Sequence, residues 1–193
     1  MLKFERDFFI RDNLDWHSTD LFNWDMVLVS SLYKKEYKND ENEKEVINGY
    51  ANAVDCIANE IKVQNHPSVG VLAFRSNSLV MPFIFLCRHT IELILKYLRK
   101  HFGLSSPNKH GLLYLWDEIE KALIQANPSV KEAIRGLREY IAVLEELDPD
   151  GAHARYSKSP KGEPYHNKPK FVKVVALNEV LQKVLLPLID NKL

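Results

Sequence analysis

Hydrophobic positions along this chain recur three and four residues apart in one segment after another, and no stretch sustains the alternation of two that a sheet needs. The clearest segment runs from Pro82 to Phe102, where Ile84, Cys87, Ile91, Ile94, Leu95 and Leu98 form one apolar stripe. Pro82 suits its first turn, because proline lacks the amide hydrogen that a first turn leaves unbonded. Val46, Tyr50, Val54, Ile57 and Ile61 mark a helix from about Glu43 to Val63, with Glu43 and Glu45 near its positive N-terminal end. Leu112, Leu115, Trp116, Ile119 and Leu123 mark another, ending at Gln125 before Asn127-Pro128. Val130, Ile134, Leu137, Ile141 and Leu144 predict one continuous helix from Ser129 to Leu147, and a last helix covers about Ala176 to Asp190, bent or ended near Pro187. Upstream, Thr19 or Asp20 can cap a helix running to Tyr37, residues 1–17 read as an arm, and Phe171 to Val175 suits a short strand. The expectation is an all-α bundle of five to six helices, one domain over residues 1–193. A long irregular segment at about 148–175 interrupts it, opened by the turn signal Asp148-Pro-Asp-Gly151.

The central apolar helix carries a second stripe that does not belong in a core. Arg88, Glu92 and Lys96 lie one turn apart, and His89 sits beside the first of them, with apolar residues on both flanks. A cation buried alone there is costly, so the stripe is either paired within the fold or used. In the first reading Glu92 neutralises Arg88 and Asp148 reaches in from the acidic turn. In the second Arg88 and Arg155 grip an anion, His89 or His110 moves a proton, and Glu92 orients one of them.

Composition sharpens this picture only locally. The formal net charge is zero, which argues against a protein that holds nucleic acid by bulk charge. The sum conceals a divided charge: Arg155, Lys158, Lys161, Lys168, Lys170 and Lys173 face the single Glu163 between His153 and Lys173, whereas Glu139 to Asp150 is acidic without a base. Cys56 and Cys87 have neither zinc-ligand spacing nor a disulfide framework around them and read as small core residues. No glycine loop for phosphate, no nucleophile elbow and no metal-ligating cluster appears, so neither cofactor nor metal is expected. The charged N-terminus and the short apolar run from Leu79 to Cys87 predict a cytoplasmic protein without a membrane span.

The order Arg88-His-x-x-Glu92-x-x-x-Lys96, then His110-x-Leu-x-x-Leu-Trp116, then Asp148-x-Asp-Gly151 followed by Arg155-Tyr156, resembles the HEPN superfamily of bacterial helical proteins over about residues 80–190. That resemblance implies a helical bundle that dimerises. It implies an activity on RNA as well, as a metal-independent ribonuclease toxin or phage-defence effector with an antitoxin or defence-system partner. Its nuclease members carry an arginine, about four to six residues, then a histidine, with a polar residue after the arginine. Arg11 to His17 has that spacing with Asp12 in the polar slot, whereas Arg88 and His89 are adjacent.

The residues expected to act are therefore Arg88, His89, Glu92 and His110, with Arg11 and His17 as the second pair. Lys96, Asp148, Arg155, Tyr156 and Lys158 are expected to meet RNA or a nucleotide phosphate. The alternative is a non-catalytic interaction or nucleotide-binding module whose polar cluster is structural. Either way Arg88, Glu92, His110, Asp148 and Arg155 are expected to converge in space, because each is costly to bury alone.

Overall fold

The computed structural model describes residues 39–64, 73–105, 110–165 and 172–190. All described residues belong to the second of two units into which the chain divides, Lys38–Leu193. The arm over residues 1–17, the Arg11/His17 pair and the helix expected up to Tyr37 lie outside them.

The second unit is all-α. Its helices are α1 (Asn39–Gln64), α2 (Ala73–His101), α3 (Leu112–Ala126), the single turn α4 (Val130–Ala133), α5 (Leu137–Leu147) and α6 (Val174–Val180). The last continues as a π-helical stretch, Leu181–Leu185, and a final turn, Leu186–Leu188. Among the described residues no strand occurs, only a lone bridge between Lys158 and Pro164.

Helix α2 is the axle. It packs against α1, α3, α5 and the C-terminal helix, and Phe83, Ile84, Cys87, Ile91, Ile94, Leu95 and Leu98 are buried along it. By length and composition Ser78–His101 could also cross a bilayer, with a mean hydropathy of 1.6, a property that the short uninterrupted run Leu79 to Cys87 does not reveal. Half of its most apolar window is buried inside the fold, as a core helix requires. Leu112, Leu115, Trp116, Ile119 and Leu123 from α3 and Ile141 and Leu144 from α5 complete the centre.

Several boundaries depart from the periodic pattern. Helix α2 starts at Ala73, so Pro82 sits inside it rather than in its first turn. Pro82 is on the exposed side of the helix. The segment expected as one helix from Ser129 is broken at Gly136, whose φ of +84° no helical residue adopts. Helix α1 buries Ile47, Ala51, Val54, Ala58 and Ile61, a face rotated by one residue from the stripe of larger side chains. Cys56 is exposed on that helix, not a core residue, and only Cys87 is buried. Val174 and Val175 start a helix rather than continue a strand.

Candidate functional site

Arg88 is the hub of the polar cluster. It is only 2% exposed, and its guanidinium uses the fork geometry of its N–H groups on three chain segments at once. Nε donates to the carbonyl of Asp148 at 2.5 Å, and Nη1 to Glu92 Oε2 at 2.9 Å. Nη2 donates to the carbonyls of His110 at 2.9 Å and Pro149 at 3.1 Å. One side chain thus fastens α2 to the loop entering α3 and to the turn leaving α5. The donors that a phosphate would need are engaged in the fold, so Arg88 stands as a clamp on these loops rather than as an open anion grip.

Glu92, 7% exposed, is the counterweight. Its Oε1 accepts from Lys96 Nζ at 2.7 Å and from His110 Nδ1 at 2.7 Å, while Oε2 takes Arg88. Burial alone would push the carboxyl up. Hydrogen bonds from Lys96, His110 and Arg88 outweigh it and hold the pKa at about 2. Glu92 is therefore an acceptor only at neutral pH, so His110 Nδ1 carries the hydrogen of their contact and Nε2 is the ring nitrogen left for other partners. Lys96 Nζ also comes within 3.5 Å of His110 Nδ1. Both are then donors, and the shorter contact to Glu92 orients the ring. The His110 side chain is 65% exposed, so this fixed imidazole faces solvent.

Its footing is doubly set. Gly111 has no side chain to cap α3, and the Glu145 carboxylate of α5 does so instead, accepting from the Leu113 amide at 2.9 Å. A Cβ on Gly111 would stand 3.3 Å from that carboxylate, so a larger residue there requires Glu145 to shift by a few tenths of an ångström.

The 148–156 turn is equally determined. The fully buried Asp148 turns its Oδ1 onto the amides of His153 (2.8 Å) and Ala154 (3.3 Å). Its carboxylate does not reach Arg88, which takes the backbone carbonyl instead, and a buried carboxylate with this role does not contact phosphate. Gly151 turns the chain with φ +76°, and a Cβ there would lie 3.5 Å from Arg88 Nη1 and 3.8 Å from Arg155 Nη2. Gly151 thus lies between the two guanidinium groups, and the His110 carbonyl meets the Arg88 guanidinium directly, but Arg155 hydrogen-bonds none of the other candidates. Its Nε donates to the Gly151 carbonyl. Its guanidinium lies 5.3 Å from the Phe85 ring centre and 5.4 Å from that of Tyr156.

His89 points away from His110, into aromatic company: Tyr50 meets it edge-on at 4.8 Å and Phe85 lies parallel at 5.9 Å. Its pKa is lowered, first by burial, while Glu92 opposes and Arg88, Lys96 and Arg155 add to the lowering. It is a neutral aromatic group at neutral pH. Lys158 is exposed on a small hairpin closed by the Ser159 amide on the Glu163 carbonyl at 2.8 Å. Phe85 and Glu145 carry no signal of a site role in the sequence beyond Phe85's place one turn before His89, and Tyr50 and Gly151 read there only as a helix-stripe and a turn residue.

A cavity of about 210 Å³ lies elsewhere, between α1 and the C-terminal helix, lined in part by Asp55, Asn59, Asn178 and Gln182. These groups bond one another, Asn178 to Asp55 at 2.7 Å and Gln182 to the Ala51 carbonyl at 2.8 Å. Among the described residues no cluster of three or more His, Cys, Asp or Glu is arranged to hold a metal ion.

The HEPN domain family model matches residues 75–168, the stretch that contains α2, the Arg88 hub, His110 and the 148–156 turn. The chain belongs to the HEPN superfamily. HEPN domains are generally associated with ribonuclease and nucleotide-related activity. No curated protein and no solved structure matches the chain.

Proposed function

We propose that this HEPN protein acts on RNA as a metal-independent ribonuclease of the toxin or phage-defence kind, working as a homodimer, with His110 as its acid–base group. The observation that carries the reading is an exposed imidazole whose Nδ1 is fixed at 2.7 Å to a buried, ionised carboxylate. An unused surface histidine has no reason to be held so. Its Nε2 can take the proton of a ribose 2′-hydroxyl as that oxygen attacks the phosphate, or return one to the departing oxygen. Lys96, 39% exposed, and Arg155 supply positive charge for the phosphate, and Glu92 stabilises the imidazolium that forms.

The test is cleavage of total RNA in a chelator by wild type, His110→Ala and Arg155→Ala. Loss of a general acid–base group lowers the rate by about 10²–10⁴, and because the side chain is largely exposed the variant should melt as wild type does. Equal cleavage by His110→Ala, or none by folded wild type, overturns the catalytic reading. The saturated bonding of Arg88 favours the second reading, a non-catalytic nucleotide-binding or interaction module whose cluster is structural. That reading gains if nucleotide binds without turnover.

A further inference from the structure

Five planar groups run in sequence across one side of the unit. Tyr50 of α1 meets His89 of α2 at 4.8 Å, His89 parallels Phe85 at 5.9 Å, the Arg155 guanidinium lies 5.3 Å from Phe85, and Tyr156 follows at 5.4 Å. Tyr50, His89 and Phe85 are partly buried, whereas Arg155 is exposed and the outermost, Tyr156, is 58% exposed.

Tyr156 is no loose surface residue. Its amide donates to the Ala152 carbonyl at 2.9 Å, that of Arg155 donates to the same carbonyl at 3.1 Å, and Asp148 holds the turn from beneath. The chain therefore spends buried hydrogen bonds on presenting an aromatic ring to water with a guanidinium behind it. The same turn is clamped by Arg88, which also holds the backbone of His110. A stacking surface and a proton-transfer group are thus built on one hub.

We infer that Tyr156, backed by Arg155 and Phe85, is a stacking platform for an unpaired nucleobase, so that the RNA this protein takes is single-stranded at the position beside His110. The inference rests on the RNA reading above and adds to it the strandedness of the substrate and the residue that selects it. The chemistry is general. Every base has a π-face, an exposed tyrosine offers the complementary one, and a guanidinium stacked behind it adds attraction while its free edge meets the neighbouring phosphate. A paired base inside a duplex presents no face to such a ring.

The experiment measures anisotropy of a labelled oligoadenylate ribonucleotide on His110→Ala protein, which binds without cleaving. Competitors are the same strand carrying abasic sites and its duplex with oligouridylate. Tyr156→Ala and Tyr156→Leu should weaken binding roughly tenfold or more, within the range seen for loss of a base stack, and Tyr156→Phe should bind as its parent does. The abasic strand and the duplex should compete poorly. Because the ring is exposed, all three variants should melt with the parent, which separates lost stacking from lost fold. If the strand binds but Tyr156→Ala and Tyr156→Leu match the parent, the platform is wrong while the RNA reading stands. If duplex binds as tightly as single strand, the platform is likewise wrong. If the strand does not bind even the parent, platform and RNA reading fall together.

Discussion

Replacing Arg88 by alanine should cost about 3–5 kcal/mol of stability, and the structure shows where that comes from. The side chain is 2% exposed and makes four hydrogen bonds. Truncation leaves three backbone carbonyls, those of Asp148, His110 and Pro149, without this donor. An unsatisfied buried group costs about 1–3 kcal/mol. Not all three would pay in full, since the loops can relax toward water. Glu92 keeps Lys96 and His110 but loses its most buried partner, and breaking a buried pair by removing one member costs about 3–5 kcal/mol. The contributions overlap, so the pair value is the better total. For a chain of this length about 2–4 °C of melting temperature accompanies each kcal/mol, giving a drop of roughly 6–20 °C in thermal unfolding followed by circular dichroism. Arg88→Lys should recover only a minor part, because an ammonium with three donors cannot meet Glu92 and three loop carbonyls at once. A melting temperature for Arg88→Ala within a degree or two of wild type would refute the hub, and with it the claim that one guanidinium sets both loops.

The pH dependence of folding should carry the signature of Glu92, whose folded pKa of about 2 lies below its ordinary 4.5. The stabilisation is present above about 4.5 and lost as pH falls toward 2; it amounts to at most about 3 kcal/mol, and Glu92→Gln should flatten that slope in acid titrations of denaturant stability. His89, with its pKa lowered, should cost stability as pH drops below its ordinary 6.5, since the unfolded chain takes the proton more readily, and His89→Phe should remove that dependence in the same titrations. Gly151→Ala should destabilise by about 1–2 kcal/mol in chemical denaturation. The reason is the φ of +76° rather than crowding, since a Cβ would meet Arg88 and Arg155 only at 3.5 and 3.8 Å.

How much of this was legible follows from what each signal reports. Periodicity sees side chains, so the inner face of α3 was readable to the residue, and that of α5 except for Tyr140 and Leu147, which are buried as well. It does not see one residue's φ. Gly136 breaks the helix expected from Ser129, yet Ile134 and Leu137 flank it on the same inner face and keep the apparent period intact. The π-helical stretch Leu181–Leu185 is invisible to a pattern counted at 3.6 residues per turn for the same reason. The polar stripe on α2 was readable as costly, but its resolution was not. Three of the four acceptors of Arg88 are backbone carbonyls, and every residue has one, so no residue type announces that role. Beside Glu92, which does pair with Arg88, the expectation turned to the side chain of Asp148, which the fold uses on its own backbone.

That last difference separates the cluster into two layers with different chemistry. Arg88, Asp148 and Glu145 face inward and meet mostly backbone: their work is to set where the loops after α2 and α5 begin. His110, Lys96, Arg155 and Tyr156 stand on those loops or at the edge of α2 and face water. Glu92 joins the layers, with one oxygen on the buried guanidinium and the other on the exposed imidazole and ammonium. A buried ion pair is a weak source of stability compared with apolar packing of the same volume, so its retention in an otherwise apolar core helix needs a reason beyond folding. Holding a solvent-facing imidazole in one orientation supplies that reason, and an apolar replacement of Arg88 and Glu92 together could restore the melting temperature without restoring that orientation. The structural and functional readings of this stripe are therefore answers about its two sides rather than rivals for the whole of it.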